Sequence, residues 1–323
     1  MRSKRGEINA VSIPGFKGET SVYQNHYYYE QNRVFRTFVP NEIKIKCTCS
    51  GAQNRTNKLY FEHPEIILPI LESRKEKALR DVEGLCRLFA KFGVPREAKI
   101  LDLSCGIGRH SVPLSQAGYQ VVGYDLSPLF LERAKELAKQ KDGGSKLNKI
   151  RFYQGDSRHA ARVLFGKGET AFDVIISMSA SIGYFGEEED LRMFKELLSL
   201  VSPNCMLVIE TDNRDQLVRT FNPSEYYTMI FAGNEFEVHR IFRLNIENSF
   251  MEEEWKLYKK MQDNRMKLMY SLPTTLRVYS LHELKKIIET AGWSYREAYS
   301  ILDTLKSFTF KSDGMILIAQ RPF

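Results

Sequence analysis

The sequence predicts an α/β fold with a doubly wound, mostly parallel sheet, and three observations carry that reading. Short apolar runs recur from Lys99 to Gln320. Segments with apolar residues at helical spacing lie between them. The runs are nearly continuous in apolar residues, as in strands covered on both faces.

The elements follow in order. From about Pro64, Ile66, Ile67, Ile70 and Leu71, then Leu79, Val82, Leu85, Cys86, Leu88 and Phe89, recur at helical spacing until Gly93 and Pro95. Lys99–Leu103 reads as the first strand, and 109–117 as a helix ended by Gly118. Gln120–Tyr124 is the second strand, and Ser127 is placed to cap a helix over Pro128–Lys141. Ile150–Gln154 and Asp173–Ser177 are the next strands, followed by a Leu-rich helix over 187–200 and the strand Cys205–Glu210. Residues 212–275 interrupt the rhythm. Within them, 235–263 alternates apolar and polar residues around an Asn-Ser turn, which predicts antiparallel strands. The alternation resumes with a helix over Ser280–Ala291, a strand near 294–300 and a last strand at Met315–Gln320.

Composition narrows the class. The 323 residues are 43% hydrophobic and 27% charged, the balance of a globular protein with a sizeable core. No apolar run is long enough to span a bilayer, and the basic start MRSKRGEINA lacks the apolar stretch of a secretion signal. The expected address is cytoplasmic, with no membrane partner. Cys47 and Cys49 are close, but no second cysteine pair or nearby histidine completes a zinc site, so no metal is expected.

The net charge of +7 is uneven: residues 1–58 hold ten Lys/Arg against four Glu, which leaves +1 for the remainder. We divide the chain into a basic, aromatic and partly irregular extension over 1–58 and a catalytic-type domain over 59–323. The stretch 212–275 is then an inserted β-rich element, a lid, substrate wall or dimer contact.

The chemistry centres on KILDLSCGIGRHSVPLSQAGYQVVGYDLS, residues 99–127. A strand runs into Gly106 and Gly108, which let the backbone turn tightly and approach a ligand. A helix then begins, with its unpaired N–H groups facing whatever binds. Asp125 ends the second strand, where a carboxylate can accept both hydroxyls of a ribose. This arrangement calls for a nucleoside-containing cofactor. The dinucleotide fingerprint G-x-G-x-x-G is incomplete, because Ser111 stands at its third glycine.

The passage resembles motif I of the class I S-adenosylmethionine-dependent methyltransferases, D/E-x-G-x-G-x-G, with Ser104 in place of the first glycine. Gly155-Asp156-Ser157 after the third strand and Phe172–Ser177 in the fourth match further motifs of that superfamily, and the likeness runs over roughly residues 60–323. The resemblance implies a Rossmann-like, seven-stranded sheet with an antiparallel last strand and S-adenosylmethionine as cofactor. It implies donor contacts from Asp102, Ser104, Cys105, Gly106, Gly108, Arg109, Asp125, Leu126, Asp156, Ser157 and Ser177, with Asp156 at the adenine. Arg74 and Arg80 compete with Arg109 for the donor carboxylate. Cys105 reads as filler within the turn, not as a nucleophile.

Methyl transfer from a sulfonium is an in-line displacement that needs alignment and exclusion of water, and a base only for a protonated nucleophile. The candidate catalytic residues are Tyr184, Tyr60 and His63, beside Ser179, Phe61 and Phe185. The run Ser177–Phe185 and Asn213-Arg214-Asp215 resemble uncharacterised members of small-molecule type. The position after the fourth strand holds Met178-Ser179-Ala180-Ser181, not the (D/N)-P-P-(Y/F) tetrad of base-amino methyltransferases, and no Pro-Cys pair is present. A small-molecule acceptor is therefore the leading reading, with a homodimer left open as the assembly. An RNA methyltransferase using the arm (His26–Tyr29, Arg33, Phe35, Arg36, Phe38) and a non-catalytic S-adenosylmethionine-binding protein are the alternatives.

Overall fold

The computed structural model describes residues 58–141 and 149–322, so the basic arm and Cys47-Cys49 lie outside the described residues. Strands β1 (Lys99–Leu103), β2 (Gln120–Asp125), β3 (Ile150–Gln154), β4 (Phe172–Ser177) and β5 (Val201–Asp212) pair in parallel in the spatial order β3-β2-β1-β4-β5. Beyond β5 the sheet continues antiparallel through β12 (Gly314–Gln320) and β10 (Ser294–Ile301). A two-residue edge strand, β11 (Lys306–Ser307), makes it eight-stranded where seven were expected. Two residues are too few to show a period in sequence.

Side chains alternate across the strands and build a core on each face. Leu101 and Leu103 of β1 point with Ile175 and Leu207 into a cluster covered by α6 (Ala160–Gly166), α7 (Glu187–Leu197) and α9 (Leu281–Thr290). Ile100 points the other way, with Val174, Ile176 and Val208, against Leu85, Leu88 and Phe89 of α3 (Lys75–Lys91) and Leu114 of α4 (Ser111–Gln116). The helix α5 (Pro128–Lys141) has Ser127 as its cap, whose hydroxyl accepts from Phe130 N at 3.3 Å. Ser280 and Glu283 form a reciprocal capping box on α9.

Two departures matter for the site. The N-terminal helical region is three pieces: α1 (Lys58–Phe61), α2 (Pro64–Ser73) and α3, which meets α2 at Arg74. The helix expected over 109–117 begins only at Ser111, because Arg109 and His110 still belong to the turn.

After a short helix, α8 (Arg214–Arg219), the insertion forms a four-stranded antiparallel sheet: β6 (Ser224–Phe231), β7 (Asn234–Asn245), β8 (Phe250–Lys260) and β9 (Met266–Arg277). The hairpin read at 235–263 is β7–β8; β6 and β9 extend it on either side. One face of this sheet, with Met229, Phe236, Val238, Trp255, Leu257 and Leu272, packs on Leu59, Ile66, Ile67 and Ile70 of α1 and α2. The same cluster reaches Ile107 in the turn after β1 and Phe130 of α5. Helices α1 and α2 thus lie between the glycine turn and the second sheet.

Arg240 is an exception within that apolar face. It is 3% exposed and lies 2.6 Å from Glu225, with Glu253 as a second ionic partner and the Trp255 ring 4.6 Å away. Removing a buried cation leaves its carboxylates uncompensated. Arg240→Ala is expected to lower the unfolding free energy by about 3 kcal/mol. Urea unfolding of the purified variant checks this, and an unchanged midpoint would contradict it.

Candidate active site

The parallel strands end at a common edge, and the direction of winding reverses between β1 and β4. Helix α4, after β1, covers one face, and α7, after β4, covers the other, so neither of these helices covers the strand ends between them. The expected ligand residues cluster at that opening.

Asp125, at the end of β2, accepts a hydrogen bond from Gly106 N at 2.8 Å on Oδ2 and one from Ser127 N at 2.9 Å on Oδ1. One carboxylate therefore ties the glycine turn to the start of the next helix. Burial pushes it up to about 6, against the pull of those two amides. Ser104 adopts φ 60, the left-handed conformation that a glycine takes without cost, while Gly106 and Gly108 follow at φ 56 and 74. A Cβ on Gly106 would meet only Leu71 Cδ1, at 3.8 Å, so the inside of the turn is open.

Asp102 is 1% exposed, and its carboxylate accepts from the Ser111 hydroxyl. It braces the turn from beneath. Cys105 is buried behind the turn and desolvation raises its thiol, consistent with a filler. Asp156 caps the turn Ser157–His159 through Arg158 N at 2.9 Å, and also pairs with the Arg158 guanidinium. Burial opposes ionisation of Asp156, but Arg158 outweighs it and holds the carboxyl below its usual range. Leu126 lies beside this corner, where its carbonyl accepts from Gln154 Nε2 at 3.2 Å.

Buried polar atoms at the opening lack protein partners. Arg109 Nε and Ser177 Oγ have none among the described residues. Arg109 is 9% exposed, with Nη2 3.5 Å from Ser179 Oγ. Desolvation and the neighbouring Arg74 charge lower it to about 10, so it remains a cation at neutral pH. A buried cation beside a second one, facing an open glycine turn, suits the anionic end of a ligand. Together with Asp125 these groups fit a nucleoside-bearing molecule with a carboxylate.

A second group of residues escaped the sequence reading. Glu210, near the end of β5, accepts from Lys77 Nζ at 3.0 Å and from Ser179 N at 3.0 Å. Lys77 also reaches Asp81 at 2.8 Å, and Asp81 lies 3.6 Å from His110 Nε2. Burial opposes the charge on Lys77, but Glu210 and Asp81 outweigh it and raise the ammonium. This chain holds Ser179 and Ala180 at φ 61 and 55, two consecutive left-handed residues after β4. A carboxylate at a strand end, and Lys77 and Asp81 four apart on a helix, were the available signals.

The acceptor-side candidates converge from distant parts of the chain. Tyr60 of α1 meets Tyr184 edge-on with centroids 5.3 Å apart, and Phe61 stacks on Phe185 at 5.8 Å. The Arg158 guanidinium lies over the Phe185 ring at 3.9 Å. His63 packs on Tyr270 of β9 at 5.6 Å, with Nδ1 3.1 Å from Glu65 Oε1. In the neutral ring, donation from Nδ1 to that carboxylate leaves Nε2 as an acceptor.

Residues 100–204 match the family described as Methyltransferase domain. The chain is 28% identical over 152 residues to a putative methyltransferase of Bacillus subtilis, covering 44% of this chain and 57% of that protein. It is 31% identical over 120 residues to a glycine/sarcosine N-methyltransferase of Parasynechococcus marenigrum, covering 37% and 39%. The chain thus spans about half the length of these curated relatives. Among solved structures it is similar to an S-adenosylmethionine-dependent methyltransferase from Clostridium acetobutylicum, with TM-score 0.62 and 12% identity over 82% of this chain and 99% of that one. It is also similar to a sugar N-methyltransferase from Streptoalloteichus sp., with TM-score 0.60 and 15% identity over 87% and 100%. At these identities the structural likeness is one of fold. Among the described residues no helix is long and apolar enough to cross a membrane.

The left-handed backbone at Ser104 has a measurable cost. Ser104→Gly is expected to raise the unfolding free energy by about 1 kcal/mol, since glycine relieves the strain. Chemical denaturation decides it, and a less stable variant would show that the serine side chain outweighs the backbone.

Proposed function

We propose that this chain, built on a class I S-adenosylmethionine-dependent methyltransferase domain, transfers the donor's methyl group by in-line displacement to a small molecule. S-adenosylmethionine supplies an electrophilic methyl on a sulfonium sulfur when it is bound. The chain's own residues then align and enclose. The Asp125 carboxylate, steadied by two backbone amides, suits the ribose hydroxyls, and Asp156 with Ser157 stands where the adenine would lie. Arg109 meets the carboxylate end, and Ser177 offers its buried hydroxyl at the end of β4.

The observation that carries the small-molecule reading is the roof over the strand ends. Helices α1 and α2 are packed between the glycine turn and the second sheet, and Tyr60 and Phe61 of α1 meet the Tyr184 and Phe185 rings of the loop after β4. A covered site walled by aromatic rings suits a compact acceptor, whereas a base in a duplex needs an open approach. The glycine/sarcosine and sugar N-methyltransferases named above also act on small acceptors, which supports the same reading. Tyr60 and Tyr184 would orient the acceptor, and His63 Nε2 is the atom placed to take a proton if it arrives protonated.

Incubation with methyl-labelled donor and a fractionated cell lysate is expected to put label into the metabolite fraction. Tyr184→Ala should reduce that transfer by about 10- to 100-fold, the usual effect of misaligned reactants. Label confined to RNA would instead favour the arm-based alternative. Asp125 gives a second test. Asp125→Ala is expected to weaken S-adenosylhomocysteine binding by roughly 10- to 100-fold in calorimetry. An ionised carboxylate is the better acceptor, so wild-type affinity should fall as pH drops through about 6, a dependence that Asp125→Asn removes. Equal affinities at pH above and below that value would contradict the assignment.

A further inference from the structure

The loop 178–186 after β4 is held at both ends. At its start, Glu210 accepts from Ser179 N through its carboxylate and from Ala180 N through its carbonyl, each at 3.0 Å. Near its end, Gly183 is gripped on two sides. Its carbonyl accepts from Arg277 N at 2.9 Å, and its N–H donates to Asp190 Oδ2 at 2.9 Å. A Cβ on Gly183 would fall 2.2 Å from the Arg277 carbonyl oxygen, so only glycine lets the loop lie this close to the end of β9. The next two residues are Tyr184 and Phe185, the rings that meet α1.

Asp190 is unusual for the first turn of α7. Glu187, Glu188 and Glu189 of the same turn are half-buried or exposed, whereas Asp190 is 3% exposed. Its Oδ2 also accepts from the Tyr279 hydroxyl at 2.6 Å. One carboxylate oxygen therefore joins the loop to the segment that leads from the second sheet into α9. The methyl-transfer reading assigns Asp190 no part in donor contact.

We propose that Asp190 is the positioning residue of the acceptor-side loop, and that its charge state sets how firmly Tyr184 and Phe185 are presented beneath α1. This rests on the reading that the loop faces the acceptor. Burial pushes the Asp190 carboxyl up to about 7, opposed by Tyr279, the Gly183 amide and Arg277, with Glu189 adding to the rise. Helix α9, packed beside α7, carries His282, Glu283, Lys285, Lys286 and Glu289. Arg277 is shared with Glu187 and Glu283. On the elements packed beside α7, Arg158 is committed to Asp156 and Phe185, with His159 and Arg162 next to it in the chain. Above neutral pH the carboxylate is ionised and grips the Gly183 amide as a charge-assisted acceptor. Below it the carboxyl is neutral, a weaker acceptor, and the loop loosens. The folded value lies above the ordinary one, so this group's contribution to stability is present at acid pH and is lost as pH rises to about 7. The ionised clamp holds the loop at the expense of global stability.

The test needs no identified acceptor. In ¹⁵N-labelled protein, the Gly183 amide and the Tyr184 and Phe185 signals are expected to titrate together with a midpoint near 7. In Asp190→Asn all three should be flat, and amide exchange over 183–185 at pH 8 should be about tenfold faster than in wild type. Asp190→Asn should bind S-adenosylhomocysteine as wild type does. A Gly183 amide that does not titrate, or one that titrates without Tyr184 and Phe185 following, would overturn the proposal. Failure of wild-type protein to bind S-adenosylhomocysteine counts against the donor reading, which the loop signals do not measure, so the two failures remain distinguishable.

Discussion

Because β1 pairs with β2 on one side and β4 on the other, the helices that follow β1 and β4 leave toward opposite faces, and neither of them covers the strand ends between them. The polar groups of the site follow from that gap. Backbone donors left there must be satisfied, and Gly106 N and Ser127 N converge on Asp125. Asp102 is drawn beneath the turn by Ser111, and Arg109 is left with a buried nitrogen facing the opening. The parallel pairing therefore determines where the gap lies and which side chains border it.

Strain is concentrated at the same edge. Ser104, Ser179 and Ala180 all occupy the left-handed region, at an expected cost of about 1–3 kcal/mol each. Such conformations persist only where surrounding contacts over-determine them. For Ser179 and Ala180 those contacts are Glu210 and, behind it, Lys77 and Asp81. The chain of charges runs from α3 to β5 and fixes the loop after β4, so a helix outside the sheet contributes to the shape of that loop.

The second sheet acts by packing. Its apolar face has no partner within the insertion and buries itself on α1 and α2, which in turn press on Ile107 and Phe130. Covering that face and roofing the crevice are one event. The arrangement brings Tyr60 to Tyr184 across 124 positions of sequence, and His63 to Tyr270 across 207.

Much of this was legible in the residues alone. The five parallel strands, the glycine turn, the cap at Ser127 and the carboxylate at Asp125 depend on local pattern: apolar runs, φ-permissive glycines and the short reach of a serine hydroxyl. Even the grouping of Tyr60 with Tyr184 could be anticipated. Other features had no local signal. Strands β6 and β9 were missed because their alternation is weak, and β9 contains Pro273. The break at Arg74, the Lys77–Asp81–Glu210 chain and the grip of Asp190 on Gly183 depend on residues far apart in sequence. The sequence by itself determined the sheet, its glycine turn and the carboxylate at the end of β2, because those reside in contiguous segments. Only the tertiary structure decided which carboxylates are buried, which atoms are left unpaired and how the loop after β4 is clamped, because burial and partnership arise when distant elements pack.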